Sequence, residues 1–182
     1  WYLHYSHIAD TEKGGQGETF NSKPARKDLS LELASLEVNT ATEVRRLLAF
    51  TNSATIMQAP ALRSAALTGK DPLVVENSIK ALGRLQQFAG DKELLALTTN
   101  PRMIVRQAAV IACGLDGRKA AIPFLSKTLK TGSATLRALS LEALARIGGV
   151  DARAIVEKIM VNENAPRADR ILAKAALDRM TQ

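Results

Sequence analysis

The sequence predicts an all-α fold, about five helical hairpins stacked side by side. Three observations predict it. The segments "VVENSIKALG" (74–83), "VRQAAVIACG" (105–114) and "LRALSLEALA" (136–145) return at a fixed spacing of 31 residues. Only 4% of the 182 residues are aromatic although 46% are hydrophobic, so the core must be built from Leu, Ile, Val and Ala. Ala and Leu form helices readily, and small residues let helices approach closely. Finally, valine and isoleucine alternate with polar residues over no sustained run, so the pattern of a half-buried strand is missing.

Each repeated unit is counted from its first apolar residue as position 0, which places Val74, Val105 and Leu136 there. Position 4 then holds Ser78, Ala109 and Ser140, and position 5 holds Ile79, Val110 and Leu141. Position 7 holds Ala81, Ala112 and Ala143, and position 8 holds Leu82, Cys113 and Leu144. At 3.6 residues per turn, positions 0, 4, 7 and 8 share one helix face, with 5 at its edge. Small residues at 4 and 7 leave room for another helix, so Ala112→Arg is expected to unfold the stack. Gly83 and Gly114 at position 9 read as helix stops or kinks. Cys113, the one cysteine, stands where its neighbours carry leucine and reads as a small buried hydrophobe. No histidine lies beyond residue 7 to activate it, and a single thiol closes no intrachain disulfide.

A first helix precedes each of these second helices. "QAPALRSAALTG" (58–69) and "AAIPFLSKTLKTG" (120–132) share an early proline and a final glycine. Pro60 and Pro123 near a helix start remove no internal hydrogen bond. "DKELLALTT" (91–99) and "DARAIVEKIM" (151–160) fill the same slot with an aspartate first, favourable at a helix N-terminus. The hairpins are therefore expected at 28–53, 55–89, 90–116, 117–148 and 149–181. The first is degenerate, "DLSLELASLEV" followed by "ATEVRRLLAF", with Val44 and Arg45 at positions 0 and 1. The last is expected to slip by one residue, with Ala168, Leu172 and Ala175 buried. Atypical end units suit their role of capping a stack in which no hairpin is stable alone.

The segments "PRMIVRQAAVIACG" and "TLRALSLEALARIG" resemble HEAT repeats, especially the short HEAT-like type first noticed in phycobilin lyases. The matching elements are the Val-Arg or Leu-Arg pair, the Ala-rich middle and the final glycine. The resemblance covers residues 55–181 well and 28–53 weakly. It implies a right-handed α-solenoid whose second helices line a concave surface. It also implies that the arginine at position 1 (Arg45, Arg106, Arg137) ties neighbouring units together through an acidic partner, although Val75 breaks the series. Deoxyhypusine hydroxylase is similar in architecture but needs His-Glu metal pairs, which this chain lacks. HEAT-like alkylpurine DNA glycosylases use aromatic residues in a basic groove, and residues 28–182 hold neither Trp nor Tyr. Nothing in these residues marks the bilin site of a lyase.

The net charge of +7 is uneven. Residues 28–90 hold six basic and six acidic side chains, whereas residues 91–182 hold fifteen and nine. A basic half suits an acidic protein, an anionic surface or nucleic acid. The chain opens on Trp1 rather than Met, so it reads as a fragment or a processed product, and the C-terminal region of a longer protein is the expectation. "WYLHYSH" leaves two readings open, the flank of a membrane-spanning helix upstream or a boundary within a larger soluble protein. The rest of residues 1–27 is polar and rich in Gly, Ser, Thr and Lys, a flexible linker before the repeat domain at 28–182. His4 and His7 lack further metal ligands, and "GGQG" (14–17) lacks the lysine and helix of a phosphate loop. No Ser-His-Asp set is possible without a histidine in the repeats. The sequence thus offers no catalytic, metal or cofactor residue.

Binding is expected at positions 2, 6 and 10, opposite the buried face of each second helix. They give Arg46 and Phe50, then Glu76, Lys80 and Arg84, then Gln107, Ile111 and Leu115. Ala138, Glu142 and Arg146 follow, then Arg170, Lys174 and Asp178. Apolar contacts bordered by charge suit a protein partner. The expected function is a protein-interaction or scaffolding module rather than an enzyme. The alternatives are a nucleic-acid-binding solenoid using the basic half and a bilin-lyase-like attachment protein.

Overall fold

The computed structural model describes residues 29–88 and 90–181. Among them the chain is helical throughout, and the helices pair into five consecutive hairpins. The first joins α1 (Leu29–Glu32, continued by a 3-10 turn over Leu33–Ser35) to α2 (Ala41–Ser53). The second joins α3 (Ala59–Thr68) to α4 (Pro72–Leu85), and the third α5 (Asp91–Thr98) to α6 (Met103–Asp116). The fourth joins α7 (Ile122–Thr131) to α8 (Ala134–Ile147), and the fifth α9 (Gly149–Val161) to α10 (Arg167–Met180). The expected boundaries at 53, 116 and 148 thus fall at or within a residue of a hairpin end. The N-terminal arm, with His4, His7 and the membrane-flank reading, lies outside the described residues.

Local chemistry explains where the helices start. Pro60 and Pro123 sit in the first two positions of α3 and α7. Asp91 opens α5, where a carboxylate meets the positive end of the helix dipole. Thr40 and Glu43 form a reciprocal capping box on α2. The amides of Asn39 and Thr40 donate to Glu43 Oε2 at 2.9 and 3.0 Å. The Asn39 bond, with that of the Thr40 side chain, holds the Glu43 carboxyl below its ordinary value. Asp71 caps α4 through Leu73 N at 2.8 Å and also accepts from Val38 N at 2.9 Å, which links the first two hairpins.

The second helices form the tight layer. Helix α4 packs on α6 and α6 on α8 along their lengths, while α3, α5 and α7 scarcely touch one another. A stack tight on one side and open on the other curves toward the tight side, so the second helices lie inside. Glycine makes the closeness possible. A Cβ on Gly83 would lie 2.8 Å from Ala112 Cα, and one on Gly114 would lie 2.8 Å from Ala143 Cα. These glycines are not the expected helix stops. Both sit inside their helices and serve backbone contact across the unit boundary. The stop in the third unit is Gly117, which closes α6 in the left-handed conformation at φ 73°.

The central registers are as expected: Val74, Ser78, Ala81 and Leu82, with their counterparts in α6 and α8, are buried. Both end units differ from expectation. In α2 the buried residues are Leu47 and Thr51, while Leu48 is 39% exposed. Position 0 is therefore Glu43, not Val44, and the spacing of 31 residues holds back to the first unit. In α10 the buried residues are Asp169, Ala173, Ala176 and Leu177, whereas Ala168, Leu172 and Ala175 are exposed. The last unit slips by two residues rather than one, since Asp169 follows Leu136 by 33 positions instead of 31. It keeps positions 0, 4, 7 and 8, with an aspartate where the others carry an apolar residue. That aspartate is tolerated because Arg137 Nε donates to its Oδ2 at 2.5 Å.

Arginines join the hairpins elsewhere too. Arg63 on α3 bonds Glu93 on α5 at 2.9 Å and the Gln87 carbonyl at 2.6 Å. Arg118 bonds Asp116 at 2.8 Å and Asp91 at 3.2 Å. Arg102 reaches the Gly69 carbonyl of the preceding turn at 3.2 Å. Of the position-1 arginines, Arg137 has the implied acidic partner across a unit boundary. Arg106 instead donates to the Asn100 and Pro101 carbonyls at 2.7 and 2.8 Å within its own hairpin. Arg45 is exposed.

Candidate interaction surface

The inner layer presents positions 2, 6 and 10 of the second helices to solvent, and most are exposed or half-buried. On α4, Lys80 pairs with Glu76 one turn back. Arg84 donates to the Thr51 carbonyl at 2.6 Å and to the Asn52 carbonyl, which caps the C-terminal end of α2. On α8, Arg146 Nε meets Glu142 Oε1 at 3.1 Å, and Arg179 of α10 reaches the other oxygen of Glu142. Between these charged rows lies α6 with Gln107, Ile111 and Leu115, all half-buried and none charged. Ala138 on α8 extends the patch.

The structure therefore brings Glu76, Lys80, Arg84, Gln107, Ile111, Glu142 and Arg146 onto one layer, as the spacing expects. It removes four others. Phe50 is half-buried and packs against the core, because the first register starts at Glu43 and puts Phe50 at position 7. Arg46 is exposed but lies off the stripe for the same reason, and Arg45 takes its place. Arg170 and Lys174 belong to positions 1 and 5 once Asp169 is position 0, so they face the end of the stack. The true stripe on α10 is Ile171, Ala175 and Arg179, all exposed. Sequence reasoning missed Arg179 and Ile171. The signal was present in the pair Arg137 and Asp169, an arginine with an acid one repeat downstream.

Residues 91–177 match the family model for HEAT repeats. They are HEAT repeats. The match is to HEAT repeats at large and does not single out the phycobilin-lyase type. No curated protein matches the chain. HEAT repeats generally serve protein–protein interaction and scaffolding and are typically non-enzymatic. Among the described residues no three His, Cys, Asp or Glu side chains are grouped to hold a metal ion. No helix among them is long and apolar enough to cross a membrane.

The thiol within these HEAT repeats is sealed. Cys113 is 0% exposed, and burial, with the Asp116 charge adding to it, pushes its pKa from 9.0 up to about 12. Native protein should react with an aromatic disulfide reagent at pH 8 only as fast as it opens, and denatured protein at once. Above pH 9 the unfolded chain releases this proton and the native chain holds it. The thiol's contribution to stability is whole below pH 9 and fades as pH rises toward 12. Prompt labelling of the native chain at pH 8 would place Cys113 outside the core.

Proposed function

We propose that the chain is a protein-interaction scaffold that holds its partner on the inner layer of second helices. The observation that carries this reading is the uncharged patch of Gln107, Ile111, Leu115 and Ala138, flanked by charges already paired within the chain. An apolar centre within a polar rim is how protein interfaces are built. Apolar side chains there gain by losing water, and the paired charges beside them discourage mismatched partners. Nucleic acid would instead need a continuous track of free cations to replace its counterions. Along this layer Lys80 pairs with Glu76, and Arg146 and Arg179 share Glu142, so the cations are interrupted by carboxylates rather than set in a continuous track.

The test is affinity capture with nuclease-treated lysate and three baits, wild type, Ile111→Arg and Leu67→Arg. Leu67 is an exposed residue of α3 on the first-helix side. Partners lost with Ile111→Arg and kept with Leu67→Arg support the reading. The reverse pattern moves the interface to the first helices. Nuclease-sensitive recovery of nucleic acid, weakening steeply with salt, would favour a nucleic-acid solenoid.

A further inference from the structure

Three cations without carboxylate partners converge at the far end of the stack. Arg167, Arg170 and Lys174 line an open groove of about 520 Å³ between α9 and α10, with Met160 and Ile171 as its apolar floor. None of the three makes an ion pair among the described residues, although Arg63, Lys80, Arg118, Arg137, Arg146, Arg153 and Arg179 all do. The Arg170 Nε is buried and has no hydrogen-bond partner. Ile171 is 59% exposed. Asp169 is committed to Arg137, and Asp178, one turn beyond Lys174 on the same face, makes no ion pair with it.

The register explains why the cluster is unusual. In α4, α6 and α8, position 5 is Ile79, Val110 or Leu141, buried where the helix faces the next unit. Position 1 faces the same way, since Arg137 reaches Asp169 in the following hairpin. In α10 these two positions are Arg170 and Lys174. An apolar stacking face has been replaced by cations that make no ion pair among the described residues. Unpaired cations, of which Arg170 is half-buried and Arg167 and Lys174 are exposed, beside apolar Met160 and Ile171 are complementary to an anionic ligand that also carries apolar groups.

We infer that this end groove binds an acidic protein segment that sets an apolar side chain on Ile171 and Met160. The three cations are spaced by three and four residues, about 10 Å in all at 1.5 Å per residue. That matches carboxylates on successive turns of a helix or on alternate residues of an extended strand. A phosphate backbone would leave the apolar floor uncovered, and the short run offers it no continuing track. The groove borders the inner layer at Ile171, but its three cations lie off that stripe, so reversing Arg167 and Lys174 tests it separately from the inner-layer reading.

Fluorescence anisotropy on the full chain tests it, with a short fluorescein-labelled peptide of repeated Glu-Glu-Leu units as probe. Arg167→Glu with Lys174→Glu should weaken binding about tenfold or more. Lys92→Glu with Lys119→Glu makes the same change of net charge at exposed sites elsewhere and should leave it intact. Circular dichroism melts establish that each variant folds. Arg170→Gln and Lys174→Gln, which remove charge without reversing it, should give smaller losses in the same order. A probe with Gln in place of Glu should not bind. Equal weakening by both double variants, or no binding by wild type, overturns the proposal. So does tighter binding of a single-stranded oligonucleotide or of phosphatidylserine vesicles than of the peptide.

Discussion

Replacing Gly114 with valine should destabilise the chain by about 3 kcal/mol, measured by denaturant unfolding. The Cβ of any residue there would lie 2.8 Å from Ala143 Cα, which is backbone and cannot rotate away. Helices α6 and α8 would have to separate along their whole contact. The milder variant decides the mechanism more sharply. Alanine is a better helix former than glycine by about 1 kcal/mol, so propensity alone predicts that Gly114→Ala stabilises. Overpacking of about 1–3 kcal/mol opposes it. We expect a net loss of roughly 1 kcal/mol, and a gain would show that the second helices are not in close contact there. Ala112→Arg attacks the equivalent interface with Gly83 from the other side. Ala112 is 0% exposed, so a guanidinium placed there should unfold the stack.

Arg137→Ala should cost about 3 kcal/mol, because it leaves the Asp169 carboxylate buried without its partner. The Asp169 side chain is 7% exposed and that of Arg137 is 21% exposed. The asymmetry predicts different costs for the two halves of the pair. Asp169→Leu should be milder, since it restores the apolar residue of the other units and leaves Arg137 bonded to the Gly132 carbonyl at 2.9 Å. The double variant Arg137→Met with Asp169→Leu should return close to wild-type stability. Additive losses would mean the two side chains do not act as a pair.

The fold was legible because period and composition agree. In the three central units one buried face repeats every 31 residues, and small residues fill its contact positions 4 and 7. The ends were harder, each for a physical reason. In the first unit Glu43 occupies position 0 and is held by the capping box, so its polarity hid the register. In the last unit Asp169 occupies position 0, and its burial depends on an arginine in the neighbouring hairpin. A rule that asks for an apolar residue at position 0 fails at both. Gly83 and Gly114 were visible as exceptions, but whether a glycine ends a helix or admits a neighbour is settled by what lies opposite it.

The candidate surface was legible in the middle and misplaced at the edges. Helical periodicity located Glu76, Lys80, Gln107, Ile111, Glu142 and Arg146 because their registers were right. Phe50, Arg170 and Lys174 followed the two end registers and moved with them. Periodicity also carries no information on which charges are already paired. Arg84 counts as a free cation in sequence, yet it caps α2. The contrast between paired charges on the inner layer and unpaired charges at the end groove emerges only from the packed helices.

The most direct measurement of the interface is photo-crosslinking from position 111. A photoreactive amino acid would replace Ile111 in one chain and Leu67 in another. Protein adducts that form from 111 and not from 67 are the result expected of a partner seated on the second helices. Adducts from 67 alone, or adducts to nucleic acid from 111, would contradict the proposal that the inner layer of HEAT repeats is a protein-binding surface.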